Sequence, residues 1–457
     1  MSNRVANVTG TALLTDQYEL TMISAAIKAE RADRQCVFEV FARRLPDGRR
    51  YGVVAGTGRV LEALEEFRFS GDEISALRGI VDEPTLDWLA DYRFSGDIDG
   101  YREGELYFPG SPIMTVRGGF AEGVVLETVI LSILNYDSAI ASAAARMVSA
   151  AAGRPIIEMG SRRTHERAAV ASARAAYLAG LTATSNLEAA RTYGVPSAGT
   201  AAHAFTLSFA TADGSDEKAA FAAQIDALGT GTTLLVDTYD IRQGVENAIA
   251  VAGPELGGVR IDSGDLGVLA RQVRAQLDGL GATSTQIVVS GDLDEYAIAS
   301  LRAEPVDTYG VGTALVTGSG APTAGMVYKL VEVDGVPVAK RSSRKESHGG
   351  AKRALRAARD TGTIVEEIVV TGGGIADGDV ADEGVSGDWA VDGLGSLKAR
   401  DLQIPLVRGG RVVDDVPTLA DAREHLARGL VSLPWEGLGL SHGDPAVGTR
   451  YITRPEK

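Results

Sequence analysis

The sequence predicts an α/β chain: an irregular, partly incomplete (β/α) barrel with an additional strand-rich α+β domain. Three observations lead there. Between residues 155 and 311, seven short apolar runs alternate with helical stretches of roughly ten to seventeen residues, the rhythm of parallel βα units. Before about residue 125 and after 325 that rhythm gives way to alternating apolar and polar residues and hairpin turns. Each of the seven runs also ends in polar or glycine residues, and parallel barrels gather reactive groups at that end of the strand.

The 457 residues favour two or three domains, or one large barrel with additions. Four regions are predicted: a strand-rich N-terminal domain over 1–125, an irregular βα barrel carrying the active site over 126–325, hairpins returning to the N-terminal domain over 326–415, and a C-terminal helix and tail over 416–457. In the first region, Thr15 or Asp16 suits the cap of a helix with apolar positions Leu20, Ile23 and Ile27. Tyr18 falls in its first turn, as a packing aromatic or a ring contact. The run from Cys36 to Gly48 alternates as a strand, and Phe108 to Gly119 reads as turn, strand, turn. Residues 126–152 suggest two helical stretches parted near Asn135-Tyr-Asp-Ser138.

The seven barrel runs are Pro155–Met159, Leu181–Thr184, Val195–Ala198, Thr232–Asp237, Gly258–Asp262, Gln286–Ser290 and Val306–Val311. Helices are expected over Thr164–Leu178, Asp216–Leu228 and Leu266–Leu280. Seven strands make a barrel irregular, or one that borrows a strand. Beyond it, Asp334-Gly335 marks a hairpin, Lys340–Arg359 reads as a solvated basic loop, and 371–396 as a long surface connection. A second hairpin at Gly409-Gly410 and a helix from Thr418 to Leu430 follow.

Composition narrows the function. A formal net charge of -16 and a pI near 4.9 oppose nonspecific wrapping of nucleic acid or an anionic membrane, while leaving room for a locally basic site. The single cysteine, Cys36, excludes an intramolecular disulfide or a cysteine-built zinc site and suits a cytoplasmic protein. No secretory pattern follows Arg4, and the longest apolar stretch, near Gly123–Leu134, is short and carries Glu127, so no membrane span is expected.

The strand ends carry the chemistry. Arg162, Arg163 and Arg260 are fixed cations suited to carboxylate or phosphate. Ser290-Gly291-Asp292 and Gly310-Val-Gly312-Thr313 offer backbone N–H groups after late strands, where barrels often hold phosphate. Asp262 and Asp265 suit ribose hydroxyls or a magnesium shell. Ion pairing among these charges at the barrel rim is the competing reading. His203, just past the turn at Gly199-Thr200 and surrounded by alanines, suits a base, a ligand, a nucleophile or a packed cap. Without a family in view, the set describes a barrel enzyme acting on a phosphorylated, anionic substrate.

Seven segments in order carry a resemblance: Thr15-Asp-Gln-Tyr-Glu-Leu-Thr-Met22, Glu158-Met-Gly-Ser-Arg-Arg163, Gly199-Thr-Ala-Ala-His203, Gly258-Val-Arg-Ile-Asp-Ser-Gly-Asp-Leu266, Val288-Val-Ser-Gly-Asp-Leu-Asp294, Gly310-Val-Gly-Thr313 and Gly325-Met-Val-Tyr-Lys-Leu330. With them the chain resembles the nicotinate phosphoribosyltransferase family, type II phosphoribosyltransferases. The resemblance implies condensation of nicotinate with 5-phosphoribosyl 1-diphosphate (PRPP), giving nicotinate mononucleotide and diphosphate in NAD biosynthesis or salvage. It further implies a ligase-type coupling to ATP hydrolysis through a phosphohistidine matching His203, with Mg²⁺ as cofactor. Tyr18, Thr200 and Arg260 match nicotinate-binding positions, Tyr18 often reaching in from the second subunit of a homodimer. Thr313 and its neighbouring glycines match a PRPP phosphate-binding position, to which the phosphate reading above adds Gly312, Gly291, Asp292, Ser290 and Arg163.

The neutral imidazole is the form able to attack ATP, so that step is expected to weaken at low pH. One segment departs from the family, which usually carries a Pro-Gly-x-Lys type loop. Glycine replaces the proline in Ser347-His-Gly-Gly-Ala-Lys-Arg353, so no phosphate role passes to Lys352 or Arg353. A nicotinamide phosphoribosyltransferase on the same architecture is the nearest alternative. A sugar-phosphate aldolase or isomerase is a second; the absence of lysine from the barrel strand ends counts against the aldolase. A non-catalytic PRPP or NAD sensor is a third.

Overall fold

The computed structural model describes residues 10–212, 214–340, 348–372 and 396–453. The described chain forms two compact units, one of residues 140–322 and the other of residues up to 139 together with those from 323 onward. The division falls inside one long helix, Glu127–Ala151.

The 140–322 unit is built on a six-stranded sheet, parallel at every pairing. Its order is Thr233–Leu235, Gly258–Ile261, Gln286–Val289, Thr308–Val311, Ile156–Glu158, Ala183–Thr184. The remaining predicted run, Val195–Ala198, contributes a single parallel bridge, Ser197 to Thr184. Among the described residues no pairing joins Ser197 to Thr233, so the barrel stays open between its third and fourth runs. The strands read as near-continuous apolar segments because both faces are covered: Leu234, Leu235, Val259, Ile261, Ile287, Val289, Tyr309 and Val311 are buried. The intervening helices start where the sequence places caps. Asp216, Asp240 and Asp265 each accept a backbone N–H of their helix's first turn.

The second unit holds a seven-stranded antiparallel sheet. Its order is Val336–Pro337, Met326–Val333, Gln35–Ala42, Met114–Gly119, Asp97–Tyr101, Gln403–Arg408, Arg411–Val412. The predicted hairpin turns on Asp334 and Gly335, both at positive φ, as a tight turn between twisted strands requires. A four-stranded sheet, Lys398–Asp401, Lys352–Ala358, Ile364–Thr371, Gly448–Thr453, completes the unit.

Three expectations are corrected. The two helical stretches near residue 136 are one helix, Glu127–Ala151. Its would-be turn formers are occupied elsewhere: Asn135 accepts from Met326 N (2.8 Å), Asp137 pairs with Arg59 (2.7 Å) and Ser138 accepts from Ala55 N (3.1 Å). With the preceding turn, this helix is long and apolar enough to cross a membrane by length and composition, but 67% of its most apolar window is buried within the protein. The basic stretch read as a loop contains the buried strand Lys352–Ala358. Lys352 pairs with Glu39 at 2.7 Å, and Arg356 with Glu105 and Glu367, so these cations neutralise buried carboxylates. The C-terminal tail includes the strand Gly448–Thr453, parallel to Ile364–Thr371. Residues 341–347 of the loop and most of the long connection (373–395) lie outside the described residues.

Candidate functional site

In the Gly258–Ile261 strand, Val259 and Ile261 face the core, and the pleat turns Arg260 to the opposite side. Its guanidinium is spread over three partners: Nε donates to Ser290 Oγ (2.8 Å), one terminal nitrogen to Thr200 Oγ1 (3.1 Å) and the other to Asp262 Oδ1 (2.8 Å). The Ser290 hydroxyl also donates to Asp262. Burial pushes the Asp262 carboxyl up, but the Ser290 hydrogen bond and the Arg260 charge outweigh it and hold the group below its usual value. Three chain segments thus meet around one fork of N–H donors, with Thr200 at its tip.

A second carboxylate links this fork to the histidine. Asp237 Oδ2 accepts from Asp262 N (2.8 Å) and from Ser263 Oγ (2.8 Å). Its Oδ1 is buried without a hydrogen-bond partner and stands 3.6 Å from His203 Nε2. The other ring nitrogen, Nδ1, lies 3.2 Å from Thr238 Oγ1. His203 opens a short helix after the third run, and Asp237 and Thr238 follow the fourth. The imidazole therefore sits at the opening of the barrel, 40% exposed, gripped from the strand across the gap.

The neighbouring strand ends are shaped by glycine. A Cβ on Gly291 would stand 2.6 Å from Asp262 O, and one on Gly310 would stand 2.9 Å from Met159 Sδ. Gly291 has φ +119° and the following Asp292 φ +50°, so the turn exposes successive backbone groups after the Gln286–Val289 strand. Gly312 and Thr313 begin a four-residue helix after Thr308–Val311, the next strand over. Glu158 is buried below them; burial raises its carboxyl, against hydrogen bonds from the Thr184 hydroxyl and Gly160 N–H. It ties two strand ends to the loop bearing Arg162 and Arg163, whose side chains are exposed. Asp265 caps its helix through Val268 N (3.1 Å).

The structure thus joins Arg260, Thr200, Ser290, Asp262 and His203 in one network, with Gly291, Asp292, Gly312 and Thr313 on adjoining strand ends. Asp237 and Thr238 were visible in the sequence as a strand end but carried no assigned role. The signal available was a strand-terminal aspartate like Asp262.

Tyr18 belongs to the other unit, in the first turn of the helix Gln17–Lys28, and is 45% exposed. Asp16 holds the cap position without a side-chain cap bond, and Thr15 donates instead to Glu19. Glu19 is fully buried and also accepts from Thr128 N (2.9 Å) and Thr128 Oγ1 (2.5 Å). Burial, with Glu127 and Glu19 adding to it, pushes the Tyr18 hydroxyl up to about 12, so it remains a neutral phenol. Among the described residues no group of three or more His, Cys, Asp or Glu is arranged to hold a metal ion. A Mg²⁺ that brings substrate phosphates and water needs only one or two carboxylates, so the residues present fit that type of binding.

Two family models match the chain in turn. Residues 13–135 match the nicotinate phosphoribosyltransferase N-terminal domain, and residues 155–363 match the nicotinate phosphoribosyltransferase family. The chain is 64% identical over 443 residues to a nicotinate phosphoribosyltransferase of Mycobacterium tuberculosis, covering 96% of this chain and 95% of that one. It is 38% identical over 334 residues to the Bacillus subtilis enzyme of the same name, covering 70% and 67%. The crystal structure of human nicotinic acid phosphoribosyltransferase superposes with a TM-score of 0.79 at 27% identity, covering 96% of this chain and 97% of that one.

Proposed function

The chain belongs to the nicotinate phosphoribosyltransferase family, and on that premise we propose how its residues carry out the family reaction. The enzyme joins nicotinate to PRPP, forming nicotinate mononucleotide and diphosphate in NAD biosynthesis. The observation that carries this reading is the 64% identity to a nicotinate phosphoribosyltransferase over 96% of the chain. The pyridine nitrogen forms a bond to the ribose anomeric carbon while the bond from that carbon to the diphosphate oxygen breaks. Catalysis of this kind rests on positioning and charge neutralisation.

Arg260 has N–H donors to spare beyond its three contacts, and beside Thr200 they suit a planar carboxylate. Backbone groups around Gly291, Asp292, Gly312 and Thr313, with Ser290 and Arg163, suit the phosphates of PRPP. Asp262, with Asp265 as second candidate, suits the ribose hydroxyls or a Mg²⁺, which when bound neutralises charge growing on the diphosphate. Tyr18 suits the flat ring, contributed across a homodimer.

ATP coupling runs through His203. Asp237, facing Nε2, favours the tautomer with its proton there and leaves Nδ1 as the unprotonated nitrogen, free to attack once the Thr238 hydroxyl beside it turns away. That nitrogen bonds to the γ-phosphorus, the bond from phosphorus to the bridging oxygen breaks, and ADP leaves. The phosphoryl group adds charge and acceptor oxygens beside the PRPP site, and its hydrolysis restores the imidazole. A lone cysteine, buried and unpaired, suits work in a reducing cytoplasm.

The test is nicotinate mononucleotide formation with and without ATP, with nicotinate and nicotinamide competing in one mixture. Nicotinate should dominate; dominant turnover of the amide refutes the substrate. The variant His203→Ala should lose ATP stimulation and acid-labile label from γ-labelled ATP. Undiminished labelling of that variant refutes the phosphohistidine.

A further inference from the structure

One buried charge at the strand ends has no cation to answer it. Glu158 closes the strand Ile156–Glu158 and is 1% exposed. Its side-chain partners are an amide and a hydroxyl: Oε1 accepts from Gly160 N and Oε2 from Thr184 Oγ1. Among the described residues no cation pairs with it. A carboxylate taken out of water on those terms is costly, and pairing of the strands does not require it. Ile157 and Glu158 already pair with Ala183 and Thr184, and Met159 N donates to Val311 O (2.7 Å), all through backbone.

What the carboxylate holds is the turn from Gly160 to Arg163, which is closed by Arg163 N donating to Gly160 O (2.8 Å). The turn packs directly on the neighbouring strand end. A Cβ on Gly160 would stand 2.2 Å from Val316 Cγ1 and 3.2 Å from Gly312 O, so its backbone lies against the helix Thr313–Val316 and the glycine before it. Thr184, the other partner of Glu158, accepts from Asn186 N (3.0 Å), and Asn186 Nδ2 donates to Ser161 Oγ (3.0 Å) in the same turn. Glu158 thus fixes the base of the turn and Asn186 its flank, while Arg162 and Arg163 remain exposed.

We propose that Glu158 is a positioning residue for PRPP: its carboxylate sets the Gly160–Arg163 turn so that Arg163 meets the same phosphates as Gly312 and Thr313. The proposal rests on the assignment of the PRPP phosphates to these turns. An arginine on an unfixed turn loses backbone freedom each time it grips a ligand, and a turn fixed beforehand removes that cost. A carboxylate suits the task because it holds an amide N–H more strongly than a neutral acceptor does.

The test uses the full-length enzyme. Glu158→Asp keeps the charge but draws it back by ~1.5 Å, out of reach of Gly160 N. PRPP affinity, read by calorimetry and as KM, should weaken by about tenfold, with kcat and KM for nicotinate moving less than about twofold. Glu158→Gln keeps the reach and can still accept from Gly160 N, so it should stay within about threefold of wild type. In an Arg163→Ala background, Glu158→Asp should weaken PRPP by less than about twofold further, because the group it positions is gone. Gly160→Ala presses the turn off Val316 with the carboxylate unaltered; it should show the same PRPP loss, and it decides the matter if the shorter acid does not fold. A lowered unfolding midpoint with PRPP affinity unchanged makes Glu158 a purely structural residue and overturns the proposal. A tenfold loss that persists in the Arg163→Ala background overturns it too. Arg163→Ala that binds PRPP as wild type does overturns the phosphate assignment of this turn, and the proposal with it.

Discussion

Asp237→Asn separates the two tasks of one carboxylate. The variant keeps the shape and can still accept from Asp262 N and Ser263 Oγ, both 2.8 Å away, through its amide oxygen. Its NH2 then faces His203 Nε2, where wild type places a buried anion at 3.6 Å. Opposite unit charges at that separation attract by roughly 4–5 kcal/mol at an effective dielectric of 20. The His203 side chain is 40% exposed, and solvent screening reduces this to about 2–3 kcal/mol, equivalent to about 30- to 150-fold in rate. That is the expected fall in the rate at which γ-labelled ATP marks the protein and in ATP-stimulated turnover. Turnover without ATP should fall much less, because the acceptor for the Asp262 loop survives. Equal losses with and without ATP would mean that Asp237 only holds the Asp262 loop. An unaltered labelling rate would refute the tautomer argument outright.

Other outcomes follow from the same geometry. Arg260→Lys retains the charge but loses the fork shared with Ser290, Thr200 and Asp262, so KM for nicotinate should rise by at least about tenfold and the preference over nicotinamide should narrow. An unchanged nicotinate KM would remove Arg260 from the ring site. Arg356→Ala leaves the carboxylates of Glu105 and Glu367 buried without their shared cation and should cost about 3–5 kcal/mol in denaturant unfolding; a loss under about 1 kcal/mol contradicts it. Burial raises Glu19 to about 7, with Thr128 hydrogen bonds opposing. Its contribution to stability is therefore complete below the ordinary carboxylate range and lost as pH rises to about 7. Glu19→Gln should flatten the fall in unfolding midpoint across that window, by up to about 3 kcal/mol; parallel profiles for the two proteins would refute it.

Much of the barrel was legible from local pattern. Apolar runs of strand length, capped helices after them and Asp-Gly at a hairpin are decided by neighbours a few residues away, and the observed elements follow them closely. The helix through Asn135–Ser138 was not legible, because its polar side chains are satisfied by residues far along the chain rather than by a local turn. Lys352 and Arg356 looked like a solvated basic run for a similar reason: their partners Glu39 and Glu367 lie on other strands and Glu105 in a distant connection, and composition carries no record of pairing.

The sequence by itself determined the kind of fold and the chemical types at the strand ends: a guanidinium, hydroxyls, carboxylates, glycine turns and one imidazole. Those follow from periodicity and side-chain identity, which are properties of short segments. Tertiary structure alone decided that the barrel is open between its third and fourth runs and that Asp237 faces His203 across that opening. Such contacts join residues tens of positions apart, and only the folding of the sheet brings them within a few ångströms.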